Sequence, residues 1–160
     1  LYLTAANLLE YGQSVLLRDR HWAPYNGFLS GCGLSIETWP LLPNGDSQHL
    51  YLDLVSFEKK IASLKMKQDK VMIWLNDPAH NPTGLSLTAD ERSALLDSLI
   101  TSALADPEIG HTLVIDAAYS LYADDVYGWA NSIVETFDSG SPWPENLLLC
   151  FLNLFNKSKP

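Results

Sequence analysis

Three consecutive segments constrain the fold more than any other feature of the chain. Val71–Leu75 is apolar throughout, Thr88–Leu104 lines Leu95, Leu96, Leu99 and Ala103 along one helical face, and Thr112–Ile115 returns to an apolar run. Thr88 and Glu91 have the spacing of a capping box at the helix start. A strand that is apolar throughout is buried on both faces, and two such strands joined through a helix form a parallel crossover unit. The alternation continues on both sides. Ser14–Leu17 is a short strand after a helical pattern (Leu3, Ala6, Leu9) that Gly12 would stop, and Leu34–Trp39 alternates as a second strand. Pro43-Asn44-Gly45-Asp46 reads as a turn. Asp53–Met66 puts Leu54, Phe57, Ile61 and Leu64 on one helical face, and Leu147–Leu152 is a further apolar strand, again expected to be covered on both sides. The expected class is α/β: a mostly parallel sheet flanked by helices.

Charge and composition narrow the partners. Ten cations against nineteen acids give a net charge of −9, and residues 71–160 carry all of it, with twelve acids and three cations. That balance argues against a nucleic acid or an anionic membrane surface as partner. The longest apolar run, Leu147–Leu152, is far too short to span a bilayer. Cys32 and Cys150 lack metal or redox spacing and read as small core thiols, and no basic-apolar leader opens the chain, so a cytoplasmic location is expected. His21, His49, His80 and His111 have no paired spacing and are read in separate loops, so no metal site is expected. Asp124-Asp125 reads as a solvated acidic turn. The chain starts at Leu1 rather than Met and ends after a Lys-Ser-Lys cluster, which suggests a piece of a longer protein.

Ligands of open parallel sheets bind beyond the carboxyl ends of the strands. Five residues stand at those ends: Trp22 after the first strand, Asn81 in the Asn-Pro-Thr-Gly turn, Asp116 closing the Thr112–Ile115 run, Tyr119 three residues on, and Lys157 after the last strand. An acid emerging from a buried strand needs a partner. Together the five suit a planar, phosphorylated, electron-withdrawing pyridine aldehyde. A lysine amine condenses with the aldehyde, an aspartate pairs with the protonated ring nitrogen, an asparagine and a tyrosine bind the ring hydroxyl, and a tryptophan covers the ring face.

Those residues carry a resemblance. Asn76-Asp77-Pro78-Ala79-His80-Asn81-Pro82-Thr83-Gly84 followed by Val114-Ile115-Asp116-Ala117-Ala118-Tyr119 resembles the class I/II aminotransferases, fold type I enzymes dependent on pyridoxal phosphate. Arg18–Tyr25 looks like their loop with the ring-stacking aromatic, and Glu145–Lys157 like the strand leading to their Schiff-base lysine. The resemblance implies a cofactor-binding large domain, present in part over residues 1–160, without its N-terminal portion and without the C-terminal small domain. It implies Lys157 as the catalytic, cofactor-bearing lysine, with Lys159 its rival. It further implies that Asp116 pairs with the ring nitrogen, Asn81 and Tyr119 with the ring oxygen, that Trp22 stacks, and that Tyr25 supports Asp116. The implied cofactor is pyridoxal 5'-phosphate, the substrates an amino acid and a 2-oxo acid in amino acid metabolism or biosynthesis, and the assembly a homodimer. The phosphate-binding loop of the family would lie before Leu1, its following arginine past Pro160, and Leu154-Phe155-Asn156 replaces the usual Ser-x-Ser before the lysine. Those departures keep two alternatives open: a lyase or decarboxylase of the same fold, and a truncated, non-catalytic remnant.

Overall fold

The computed structural model describes residues 1–44, 49–140 and 142–153. In chain order the elements are α1 (Tyr2–Leu8), β1 (Ser14–Arg18), α2 (Pro24–Gly31), β2 (Ser35–Trp39), α3 (Leu54–Lys65), β3 (Lys70–Asn76), α4 (Ala89–Ala105), β4 (Gly110–Asp116), α5 (Gly128–Asp138) and β5 (Leu147–Leu152), with a 3-10 turn at Ser120–Tyr122. The strands form one sheet of order β2-β1-β3-β4-β5, and every neighbouring pair is parallel. The α/β expectation holds, and all five expected strands are present with ends moved by no more than two residues.

The strand periodicity of two sorts the core into two layers. Leu16, Ile73, Leu75, Leu113 and Ile115 face one side, where Phe57, Ile61 and Leu64 of α3 and Leu95, Leu96 and Leu99 of α4 cover them. Val15, Leu17, Met72, Trp74 and Val114 face the other, under Ala5 of α1 and Tyr25 and Leu29 of α2. The central strands β3 and β4 are buried on both faces, as continuous apolar runs require. β5 departs from the expectation: Leu148 and Phe151 are about half exposed, because among the described residues β5 is an edge strand that the helices only partly reach.

The start of α4 is a complete capping box. The Thr88 hydroxyl accepts from the Glu91 N–H at 3.2 Å, and the Glu91 carboxylate accepts from the Thr88 N–H at 2.9 Å. Asp53 caps α3 through Ser56. α1 ends before Gly12, which instead takes a positive φ in the turn leading to β1. The Pro43–Asp46 turn falls partly outside the described residues. Three smaller readings change. His111 lies in β4 and is buried, not in a loop. Asp125 pairs with the buried Arg92 guanidinium at 2.5 Å rather than standing free in solvent. Cys32 and Cys150 are half-buried at the rim of the second core layer. Among the described residues no helix is long and apolar enough to cross a membrane.

Candidate functional site

Strand order reverses direction between β1 and β3, since β1 leads outward to β2 while β3 leads inward to β4 and β5. α2 covers one face of the sheet and α4 the other, so the connections part at this point and leave a crevice beyond the strand ends. A cleft of about 600 Å³ lies there, lined in part by Trp22, Tyr25, Asn76, Asn81, Asp116 and Tyr119. Four of the five residues expected from the sequence thus come together from three different strand ends. Lys157 and its rival Lys159 lie outside the described residues.

Each side chain is placed by a traceable local cause. Pro24 begins α2 at its first turn, where a missing N–H costs nothing, and aims Tyr25 back over the sheet. The Tyr25 hydroxyl donates to Asp116 Oδ2 at 2.6 Å, and the Ala118 N–H donates to Oδ1 at 3.2 Å. The acid that ends β4 is therefore partnered on both oxygens while only 6% exposed. Burial, and secondarily the Asp116 charge, push the Tyr25 phenol well above its ordinary pKa, so it remains a protonated donor. Trp22 meets the Tyr25 ring edge-on at 5.4 Å, and Tyr25 in turn packs on Trp74 at 5.7 Å.

The turn carrying Asn81 is fastened along its length. The Asp77–Pro78 and Asn81–Pro82 peptides are both cis, and Gly84 closes the turn with φ +74°, a conformation that favours glycine. The Gly84 N–H donates to the His80 carbonyl at 2.6 Å and the His80 N–H to Leu85 at 2.8 Å. Asp77, fully buried at the base, accepts from the Leu87 N–H at 2.8 Å and the Trp129 indole N–H at 2.7 Å. From this frame the Asn81 amide donates to the Tyr119 hydroxyl at 3.1 Å.

Two polar residues of this region escaped the sequence reading. Asn76 closes β3 and lines the cleft. His80 is buried beside Thr83 Oγ1 at 2.8 Å, and burial followed by the Arg18 charge lowers its pKa to about 4. A polar residue ending an otherwise apolar strand was the available signal for Asn76. Nothing in the spacing marked His80, whose environment depends on Arg18 and the Arg20 backbone some sixty residues away.

The donor set fits a pyridine-type cofactor ring: a buried carboxylate with its own fixed donors, a paired amide and phenol, and an aromatic wall. The described lining contains no Lys or Arg that would meet a phosphate. The comparisons agree with that chemistry. The family model "Aminotransferase class I and II" matches residues 2–139. No curated protein matches the chain. Among solved structures, an aminotransferase from Anaerococcus prevotii is 25% identical with a TM-score of 0.77, covering 94% of this chain and 34% of its own. An N-succinyldiaminopimelate aminotransferase from Mycobacterium tuberculosis is 25% identical, TM-score 0.55, covering 74% of this chain and 28% of its own. An archaeal alanine:glyoxylate aminotransferase has the same fold at 20% identity, TM-score 0.62, covering 94% of this chain and 33% of its own. The chain thus spans about a third of the length of these structures.

Proposed function

Because the chain belongs to the class I and II aminotransferase family, we propose that it forms part of the cofactor-binding large domain of a pyridoxal-phosphate-dependent aminotransferase. The whole protein would move an amino group between an amino acid and a 2-oxo acid, as a homodimer. The observation that carries this reading is the pairing inside one cleft of Tyr25 with Asp116 and of Asn81 with Tyr119. These are two separate polar pairs, suited to the nitrogen and the hydroxyl of one substituted pyridine.

Bound there, pyridoxal phosphate supplies an electron sink for the α-carbon of an amino acid and a carbon that carries the amino group. The chain's own residues do the holding. Asp116, held in place by two donors, would pair with the ring nitrogen. The Asn81 amide and the Tyr119 hydroxyl would bind the ring oxygen, and Trp22 would cover the ring face and exclude water. Lys157 would anchor the cofactor and move the proton at the α-carbon.

The test is direct. The chain is mixed with pyridoxal phosphate, reduced with borohydride and mapped by peptide mass spectrometry. The label is expected on Lys157. A label on Lys159 alone would reassign the lysine, and labelling that Asp116→Ala leaves unchanged would count against the site.

A further inference from the structure

Asn76 has no part in the constellation read from the sequence, yet both halves of its amide are engaged. It is only 5% exposed and sits opposite Asp116 in the β3–β4 register. Its Oδ1 accepts from the Asn81 backbone N–H at 2.7 Å, and its Nδ2 donates to the Asp116 carbonyl at 2.9 Å. The orientation of the amide is fixed by its neighbours, since a backbone N–H can only donate and a carbonyl can only accept. Asn81 goes on to donate from its own amide to Tyr119, while the Asp116 carboxylate is held by Tyr25 and Ala118. One planar group of fixed length therefore stands between the Asn81–Tyr119 pair and the Asp116 carboxylate.

We propose that Asn76 is the positioning residue of the cleft, the spacer that sets how far the Asn81–Tyr119 pair lies from Asp116 and so fits the cleft to the span of one substituted pyridine ring. The assignment rests on the cofactor reading above. Glutamine has the same amide but is one methylene longer, aspartate retains the acceptor for Asn81 and loses the donor to Asp116, and alanine loses both.

Two measurements on the full 160-residue chain separate this role from the cofactor reading. The first needs no ligand: hydrogen exchange of the Asn81 backbone amide by NMR. Wild type and Asn76→Asp are expected to protect it. Asn76→Ala is expected to exchange it about tenfold faster while the Leu95 and Leu99 amides in the core stay protected. The second is titration with pyridoxal phosphate. Asn76→Ala is expected to weaken binding about fivefold alone, less than about twofold on top of Asn81→Ala, and to move the absorption maximum of the bound ring. Fully additive losses, or unchanged Asn81 protection in Asn76→Ala, overturn the proposal. If Asn76→Ala does not fold, Asn76→Asp decides. It must keep Asn81 protected, weaken binding and be non-additive with Asp116→Asn, and failure on any count overturns the proposal. A wild-type chain that takes up no pyridoxal phosphate at millimolar concentration refutes the cofactor reading instead, and the Asn81 exchange result then decides by itself whether Asn76 holds that turn.

Discussion

A carboxylate can end a buried strand only if its oxygens are met, and Asp116 is met twice, by the Tyr25 hydroxyl and the Ala118 N–H. Tyr25→Phe keeps the ring against Trp22 and Trp74 and removes one hydrogen bond to a charged acceptor. Urea unfolding is expected to show a loss of about 1.5–3 kcal/mol. A loss near zero would mean that water replaces the hydroxyl at no cost. His80 makes a prediction about pH. Its folded pKa of about 4 lies below the ordinary histidine value. Between pH 6.5 and 4 the unfolded chain therefore binds a proton that the folded chain refuses. Its contribution is complete above pH 6.5 and falls as pH drops through that window, by up to about 3 kcal/mol. His111, lowered chiefly by burial, acts in the same direction. His80→Gln should flatten the stability profile between pH 7.5 and 5, and a profile as steep as wild type would place the proton uptake elsewhere. Asp116, Asn81 and Tyr119 were legible in the sequence because each follows an apolar run at a strand end. Asn76 carried the same signal, closing the apolar run Val71–Leu75, but its role depends on partners brought by register; His80 carried none, because its surroundings depend on a distant loop.

Among the elements, α4 was the most legible and is the most readily tested. Its cap was visible as Thr88 and Glu91, and its buried face as Leu95, Leu96 and Leu99. Thr88→Ala is expected to cost about 1 kcal/mol. Leu99→Ala, which empties a fully buried position between helix and sheet, should cost about 2–5 kcal/mol, both by denaturant unfolding. Equal effects of the two would show that the Thr88 cap contributes as much to α4 as the Leu99 packing does. α2 and α5 were missed for physical reasons. α2 has eight residues, two of them glycine, and buries only Tyr25 and Leu29. α5 starts at Gly128, where a Cβ would press against the Arg92 guanidinium and the Asp125 carboxylate. That glycine answers to a salt bridge formed 33 residues apart, and it masks the helical spacing of Trp129, Ile133 and Phe137 that follows it. The burial of β5 was overestimated because apolar content alone does not tell an edge strand from a central one.

At the scale of the whole molecule the charge and the cleft bear on each other. The chain carries −9, and the described lining of the cleft offers an acid and amides but no Lys or Arg. Ring contacts should then dominate binding. Pyridoxal and pyridoxal phosphate are expected to bind the 160-residue chain within about threefold of each other, by calorimetric titration. A strong preference for the phosphorylated form would locate a phosphate site within this chain. The β5 edge of the sheet, open among the described residues, has a further consequence. Phe151 and Leu152 belong both to the exposed strand β5 and to the wall of the cleft. Any surface that closes over β5 touches the same residues a ligand would touch. The two events are then linked, and by thermodynamic reciprocity whatever factor edge closure lends to ligand affinity, ligand binding returns to edge closure.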